Sequence, residues 1–424
     1  MKVALVTQPW DEVYPRTGGH SSIPIIAYQI ARRLTPSCDV VLYGIKARHQ
    51  QSKQVDDLGI IYRRISVDAE RWFDKFLRLY HRLSPFRSPA RPYYSSYLYY
   101  LGYALKVGRD LKSRKCDIVH IFNFSQFAPI IHAVAPEVKI VLHMECEWLT
   151  QLDRRLIEKR LGHVDLVLGC SDFITDKIRS SYPQFVDRCC TVYNGVSLED
   201  FSYPSKHKRD GDEKILFVGR VSPEKGVHIL LDAFREIVPR HPRAQLNIVG
   251  PTSSVAYDFV ISVSDDDHVT SLASFYSDGI IKRSHYTAHL QNQLPPPVWE
   301  RVNMVGGVPH SQVVDHYRDA DVFAFTSVWD EPFGIPMVEA MACGLPVVAA
   351  KGGAVPEIVE NGKTGIWVER GNSTELADAI LRLLEDDELR KSMGKEGRER
   401  ASELFTWDLT AAKLLDYYQN LLDD

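Results

Sequence analysis

The sequence predicts an α/β protein built from two doubly wound parallel-sheet domains of similar size. Short, continuously apolar runs, typical of strands buried on both faces of a sheet, alternate with stretches of helical periodicity. This alternation stops at a polar segment just after residue 200 and then begins again. The chain has 424 residues, which is long enough for two or three domains that each bury a core.

Composition and charge narrow the class of protein. Hydrophobic residues make up 45% and charged residues 25% of the chain, as in ordinary soluble globular proteins. A formal net charge of −4 argues against nucleic acid as the main partner, and the absence of a run of 18 apolar residues argues against a membrane span. The N-terminal apolar run is too short for a signal-peptide core, and the 7 cysteines are scattered as reduced thiols usually are. We therefore expect a cytoplasmic protein.

The first domain is predicted to span residues 1–200. A turn signal, Asn194-Gly195, closes its last strand-like region, and residues 201–213 are polar, with Pro and Gly, as expected of a linker. Its clearest predicted strands are Val3–Thr7, Asp39–Tyr43, Asp117–Phe122, Lys139–His143 and Asp165–Cys170.

The second domain is predicted to span residues 214–404, and residues 405–424 carry a helix, Trp407–Leu422, expected to cross back onto the first domain. The segment Pro251–Pro297 shows no clear periodicity and is predicted to be an irregular excursion with a strand-like piece at Gly279–Ile281. The predicted strands are Lys214–Val218, Ala244–Val249, Val302–Val305, Asp321–Ser327, Pro346–Ala350 and Thr364–Val368, and the clearest helices are Val227–Val238 and Ser373–Glu385.

The segment Glu331–Gly344, EPFGIPMVEAMACG, lies between two of these strands. Pro336 suits the first turn of a helix and Gly344 the position after its end, which places Glu331 in a loop and Glu339 in the first helical turn. Helix N-termini favour anions, and carboxylates accept hydrogen bonds from sugar hydroxyls. The motif therefore predicts a site for a polyhydroxylated, phosphate-bearing ligand, with further hydrogen bonds from the backbone of Phe333, Gly334 and Ile335.

A second loop, Gly219–Gly226, follows the first strand of the same domain and precedes a helix. Strand-to-helix loops at the carboxyl edge of a parallel sheet are where α/β domains bind phosphates. Arg220 can bind phosphate oxygens bidentately, and Lys225 adds a point charge. Both loops leave the same edge of one sheet, so the sequence predicts that they form one site.

The equivalent loop of the first domain contains Gly18-Gly19, a tight turn that would let a ligand approach the backbone. It lacks the G-x-G-x-x-G spacing of dinucleotide-binding enzymes, which argues against hydride transfer. Another predicted strand of this domain ends in His143, Glu145 and Glu147, whose side chains are expected to reach the crevice above the sheet. No histidine or carboxylate spacing suggests a metal site, and no G-x-S-x-G elbow suggests a hydrolase.

The order GRVSPEKG, DVFAFTS, EPFGIPMVEAMACGLPVVA and GGAVPEIVENGKTG resembles the donor-binding half of family 4 glycosyltransferases through most of residues 214–400. The first domain resembles that family more loosely, through TGGH, LHMECEW and YNGV. The resemblance implies the GT-B architecture, in which two Rossmann-like domains face a central cleft and a nucleotide sugar is held mostly by the second.

The resemblance also implies roles for individual residues. Arg220 and Lys225 would hold the donor diphosphate, Glu339 the ribose, and Glu331 together with the backbone of residues 333–335 the donor sugar. Gly18 and Gly19 would lie near the diphosphate. The family transfers the sugar with retention of configuration and without a metal or cofactor, and the cations would stabilise the departing diphosphate. The implied catalytic residues are His143, Glu331, Arg220 and Lys225, although Glu145 leaves open which group of the first domain lies nearest the reacting carbon.

Two other functions were weighed, a nucleotide-sugar epimerase of similar fold and a catalytically inert nucleotide-sugar-binding partner protein. The donor base, the donor sugar and the acceptor, which could be a glycan, a lipid-linked molecule or a small molecule, stay open. Residues 71–115 concentrate cations and aromatics and are predicted to form two helices, Glu70–Leu83 and Tyr93–Ser113. They would either face the acceptor and touch the inner face of an anionic membrane, or pack their aromatics on the first domain.

Overall fold

The structure, a computed structural model, describes residues 1–17, 21–83, 88–202, 213–253, 255–276 and 283–423. It divides into two compact units, the first formed by Met1–Asn194 with Trp407–Asp424 and the second by Gly195–Thr406. Each unit is built on its own sheet, of 8 strands in the first and 6 in the second. Two α/β units with parallel sheets confirm the predicted fold class.

The sheet of the first unit has the strand order β3-β4-β2-β1-β5-β6-β7-β8, and only β3 pairs antiparallel. Five of its strands were predicted, whereas β3, β4 and β8 were not. β3 is exposed and polar, β4 carries two arginines, and β8 has only 3 residues, so none of them shows a continuous apolar run. The strands are β1 Lys2–Val6, β2 Asp39–Ile45, β3 Lys53–Val55, β4 Ile61–Ile65, β5 Ile118–Phe122, β6 Lys139–Met144, β7 Leu166–Gly169 and β8 Cys189–Thr191.

The helices of the first unit correct one prediction. The second helix of the basic, aromatic segment begins at Leu101 and not at Tyr93, because Tyr93–Ser95 forms a single 3₁₀ turn and Tyr100, at φ 55°, breaks the helical path before Leu101. The helices are α1 Ser22–Leu34, α2 Asp68–Leu83, α3 Leu101–Arg114, α4 Phe127–Val134, α5 Trp148–Gln151, α6 Arg154–Leu161 and α7 Asp172–Ser181.

The sheet of the second unit is entirely parallel and has the order β11-β10-β9-β12-β13-β14. The strands that follow β9, namely β10 and β11, are added on one side of it, and the strands that follow β12, namely β13 and β14, are added on the opposite side of the sheet. The loops after β9 and β12 therefore flank a topological switch point, where open α/β sheets bind ligands. The strands are β9 Lys214–Val218, β10 Gln245–Val249, β11 Val302–Gly306, β12 Val322–Phe325, β13 Val347–Ala350 and β14 Gly365–Val368.

The helices of the second unit include several single turns. Segment Pro251–Pro297 was predicted to be irregular, but it contains the short helices α9 and α10, the longer helix α11 and the start of the short helix α12. Helices of a single turn are too short to show helical periodicity in the sequence. The strand-like piece Gly279–Ile281 lies outside the described residues. The helices are α8 Val227–Arg240, α9 Tyr257–Val260, α10 Asp267–Ser271, α11 Arg283–Gln293, α12 Pro296–Trp299, α13 His310–Arg318, α14 Ile335–Ala342, α15 Val355–Ile358, α16 Ser373–Glu385 and α17 Asp387–Leu404.

The last helix, α18 Trp407–Asp423, groups with the first unit, where Arg33 Nε lies 2.9 Å from Asp408 Oδ1. The boundary between the units falls after Asn194, not at residue 200, because Val196 N donates to Phe405 O at 2.8 Å and so ties this stretch to the second unit. Of the predicted linker 201–213, Phe201 is buried in the second unit and residues 203–212 lie outside the described residues.

In the described part of the chain, no helix combines the length and the apolar character that crossing a bilayer requires. There too, no group of three or more His, Cys, Asp or Glu side chains is arranged to hold a metal ion. The cysteines are all free thiols.

Candidate functional site

The loops after β9 and β12 are fastened to one another at the switch point. Thr326 Oγ1 donates to Lys225 O at 2.9 Å, and Val328 N donates to Glu224 O at 2.9 Å. Gly226 has φ +71°, and a Cβ placed there would lie 1.9 Å from Thr326 O, so the close approach of the two loops requires glycine. The two sequence motifs thus form one rigid edge.

Lys225 and Glu331 join these loops through an ion pair, with Lys225 Nζ 2.7 Å from Glu331 Oε2. The same oxygen accepts from Ser327 Oγ and Trp329 Nε1, each at 2.9 Å, and the Lys225 ammonium lies 4.7 Å over the Trp329 ring. Burial raises the pKa of Glu331, but the Lys225 charge and the three donors lower it by more, so this pKa lies below its usual value. The site therefore holds a charged pair, of which the lysine is 16% and the glutamate 9% exposed.

Arg220 is held by a carboxylate beneath it. Its Nη2 lies 3.0 Å from Glu224 Oε1, and Ser222 Oγ donates to the same oxygen at 2.7 Å. The Glu224 side chain is fully buried, and among the described residues its other oxygen, Oε2, has no hydrogen-bond partner. A guanidinium has five N–H donors, so Arg220, which is 35% exposed, keeps donors for an anion from solution.

Glu339 lies elsewhere on α14 than predicted. The helix begins at Ile335, so Glu339 is its fifth residue and belongs to the second turn, and no acidic residue occupies the first turn. Glu339 Oε1 lies 2.6 Å from His310 Nε2, and its Oε2 accepts from Tyr317 OH at 2.9 Å. Burial lowers the pKa of His310, but the Glu339 carboxylate raises it by more, so that pKa lies above its usual value. Glu339 is therefore fixed against α13 by two partners.

The backbone before α14 passes through a left-handed conformation that favours glycine. Gly334 has φ +92°, and a Cβ there would lie 2.5 Å from Met337 Cε. Phe333 is buried, with its ring centroid 5.9 Å from that of Phe405, whereas Ile335 is half-buried. The first N–H groups of any α-helix lack partners within the helix. Contacts from residues 333–335 to a sugar stay a prediction.

In the first unit, Gly18 and Gly19 lie outside the described residues. His143, at the end of β6, is fully buried, with its Nδ1 3.1 Å from His120 Nε2. The other ring nitrogen of His120, Nδ1, lies 2.6 Å from Tyr418 OH on α18. Burial lowers the pKa of His143 to about 3, so its imidazole is neutral at physiological pH. The chain of rings ties the predicted histidine to the C-terminal helix.

Glu145 and Glu147 point to different partners. Glu145 Oε1 lies 3.5 Å from His143 Nε2, and its Oε2 accepts from Asn194 Nδ2 at 2.6 Å. Burial raises the pKa of Glu145 to about 7, and its hydrogen bonds offset this only in part. Glu147 instead pairs with Lys177 of α7. The structure thus brings His143 and Glu145 together and removes Glu147 from the group.

Several side chains that hold the predicted site residues were not predicted from the sequence, among them Glu224, His310, Tyr317 and Trp329. His310 could have been found from the sequence, because residues 307–309 connect β11 to α13 and so form a third strand-to-helix loop at the same sheet edge. Glu224 lies four positions after Arg220, which is a common ion-pair spacing. Trp329 and Tyr317 reach the glutamates through tertiary contacts that no sequence spacing indicates.

Two α/β units, one of them with charged loops at its switch point, define the class of α/β proteins that bind ligands at the carboxyl edge of a parallel sheet. The family model described as "Glycosyl transferases group 1" matches residues 200–400, and that described as "Glycosyltransferase Family 4" matches residues 25–200. The chain belongs to the family 4, group 1 glycosyltransferases and is a glycosyltransferase, as the sequence motifs predicted.

Individual relatives agree with this assignment. The chain is 32% identical over 279 residues to the D-inositol 3-phosphate glycosyltransferase of Corynebacterium jeikeium, covering 63% of this chain and 60% of that protein. Sucrose-phosphate synthase from Thermosynechococcus elongatus superimposes with a TM-score of 0.75 at 19% identity, covering 100% of both chains. Anabaena HepE in complex with UDP and glucose superimposes with a TM-score of 0.68 at 18% identity, covering 98% of this chain and 99% of that one. These similarities show the GT-B fold.

Proposed function

We propose that this enzyme moves a sugar from a nucleoside-diphosphate sugar to an acceptor hydroxyl, with retention of anomeric configuration and without a metal ion. The observation that carries the proposal is the Lys225–Glu331 pair, which places a cation and a carboxylate side by side at the switch point of the second unit. A diphosphate needs cations, whereas sugar hydroxyls need acceptors, and this edge offers both. The complex of HepE with UDP and glucose supports a donor of this class.

The proposed roles follow from the charges. Arg220 and Lys225 bind the diphosphate and stabilise the negative charge that develops on it as the bond to the sugar breaks. Two cations perform the task that a divalent metal performs in other transferases, so we expect metal-independent turnover. Glu331 accepts hydrogen bonds from the donor sugar while it holds the Lys225 ammonium group in place.

Glu339 is proposed to hold the ribose. Each carboxylate oxygen has two lone pairs, and His310 and Tyr317 occupy one on each oxygen, so acceptor capacity remains for ribose hydroxyls. In the first unit, His143 and Glu145 form the pair from which we expect the group nearest the reacting carbon. Retention implies that the acceptor attacks from the face that the diphosphate leaves, through an oxocarbenium-like state.

A panel of nucleotide sugars tests the proposal. The purified protein is mixed with UDP-, GDP- and ADP-hexoses in EDTA, and its melting temperature and the products, identified by proton NMR, are recorded. We expect one donor to stabilise the protein and to yield a first-formed product with the donor's own anomeric configuration. Inversion would contradict the retaining mechanism, an altered donor sugar would indicate an epimerase, and stabilisation without turnover of any donor or acceptor would indicate an inert binding protein.

A further inference from the structure

Helix α2 turns a large apolar face towards solvent. Leu77, at 8% exposure, packs α2 on its own unit, and Phe73 is half-buried. Five further large apolar residues are 55–75% exposed, and at about 100° per residue they fall within an arc of roughly 100° on one side of the helix. These residues are Trp72, Phe76, Leu79, Tyr80 and Leu83.

Positive charge runs alongside this face. Arg71 and Lys75 are exposed and occupy helical positions beside the apolar arc. Arg78 lies further round the helix, where it pairs with Asp74 at 2.8 Å. Glu70 faces inward, with its side chain 11% exposed, whereas Asp68 in the first turn is exposed. Beyond its first turn, the outer side of α2 therefore combines the apolar face with two cations, although the protein as a whole has a net charge of −4.

The other aromatics of segment 71–115 serve a different purpose. Tyr93, Tyr94, Tyr99, Tyr100 and Tyr103 are all buried. Tyr93, for example, packs edge-on against Tyr94 at 5.7 Å. Tyr97 is 38% exposed, and the Arg160 guanidinium lies 4.9 Å over its ring. Among the described residues of this segment, the large apolar side chains that are more than half exposed therefore all belong to α2.

We propose that α2 docks on the surface of an anionic lipid bilayer, with its apolar face in the boundary between headgroups and acyl chains and its cations against the lipid phosphates. Trp and Tyr with a flanking basic stripe are the composition of helices that lie in a membrane interface. At 16 residues α2 is too short to span a bilayer, so it would lie in the plane of the surface. The flanking cations are what favour an anionic lipid surface over an apolar protein groove.

Vesicle flotation of the full chain tests this docking and needs no enzymatic activity, so its outcome is separate from that of the proposed function. The vesicles are phosphatidylcholine alone or phosphatidylcholine with phosphatidylglycerol, at low and at moderate salt. The variants are Trp72→Ser with Phe76→Ser, and Arg71→Gln with Lys75→Gln. The control, Lys391→Gln with Lys395→Gln, removes the same charge from exposed positions of α17.

We expect the native chain to float with anionic vesicles at low salt and to bind neutral vesicles at least about tenfold less. Each α2 variant should lose about tenfold or more in partitioning, while the control stays within about twofold. All changed positions are exposed, so melting temperatures should stay close to native. Replacing Trp72 with Phe should abolish most of the lipid-induced blue shift of tryptophan emission but keep flotation.

Three results would overturn the proposal. The first is an absence of flotation at low salt. The second is binding that the control variant weakens as much as the α2 variants do. The third is a dimer that light scattering detects without lipid and that the variant Trp72→Ser with Phe76→Ser converts to monomer. A second copy of the chain would then be the occupant of this face.

Discussion

Replacing Lys225 with Met tests whether the pair at the switch point is a buried, coupled unit. Methionine keeps most of the side-chain length and its packing on Trp329, but it removes the ammonium group. Among the described residues, the hydrogen bonds left to the buried Glu331 Oε2 would then be those from Ser327 Oγ and Trp329 Nε1. We therefore expect the variant to fold but to be less stable.

The size of the effect follows from burial and from the remaining donors. Removing one partner of a fully buried pair costs about 3–5 kcal/mol. Here two neutral donors stay in place and the lysine is 16% exposed, so we expect a loss of about 2–3 kcal/mol. Glu331→Gln should cost less, about 1 kcal/mol, because the partly exposed ammonium can turn to water. The coupling energy between the two sites should be about 2 kcal/mol.

The pH dependence provides an internal check. In the native chain the pKa of Glu331 is lowered, so the stability that the pair contributes is present above the unfolded pKa and is lost as pH falls through the folded pKa. Without Lys225, burial is opposed only by the hydrogen bonds from Ser327 and Trp329, so the carboxyl takes up a proton at a higher pH than in the native chain and the buried charge is relieved as pH falls. The stability difference between native and Lys225→Met should therefore be largest at neutral pH and shrink towards about pH 4.

The measurement is urea unfolding followed by tryptophan fluorescence, for the native chain, both single variants and the double variant. A coupling energy below about 0.5 kcal/mol at neutral pH, or a stability difference that grows on acidification, would refute the reasoning.

The remaining predictions concern catalysis and the first unit. Turnover should persist in EDTA, and activity that returned only with added magnesium or manganese would contradict the proposed role of the two cations. Glu339→Gln should mainly raise KM for the nucleotide sugar and Glu331→Gln should mainly lower kcat, so equal effects on both constants would remove this division of roles. Burial raises the pKa of Glu145 to about 7, so the native chain loses folding stability as pH rises from the unfolded pKa to this value. Glu145→Gln removes the titrating group. The stability of this variant relative to the native chain, measured by chemical unfolding, should therefore increase by on the order of 2 kcal/mol from pH 5 to pH 8. A constant difference across that range would show that Glu145 titrates as an ordinary carboxyl.

The sequence anticipated most of the fold because strands buried on both faces of a parallel sheet leave an unmistakable apolar run. Strand β9 and helix α16 were predicted with their observed bounds. Of the missed strands, β3 lies at a sheet edge, where exposure permits polar residues, whereas β4 lies inside the sheet and was missed because two arginines interrupt its apolar run. One-turn helices were not predicted for a different reason, because a helix of four or five residues is too short to show the helical spacing of apolar residues.

The site was predictable where it depends on topology. Adjacent parallel strands send their loops to one edge, which is why Lys225 and Glu331 could be placed together from the sequence. The partners of Glu339 could not, because His310 and Tyr317 come from α13, whose packing against α14 no local spacing encodes. The helical turn of Glu339 was also predicted wrongly. The helix begins at Ile335, one residue before the proline, so Glu339 falls in the second turn and not in the first.

Calorimetric titration of the nucleoside diphosphate of the preferred donor tests the central claim most directly. The variant Arg220→Gln with Lys225→Gln removes both cations, and Arg235→Gln with Lys391→Gln removes the same charge from exposed positions of the same unit. We expect a loss of about 2–4 kcal/mol in binding free energy for the first variant and almost none for the control. Equal affinities of the native chain and the Arg220, Lys225 variant would contradict it.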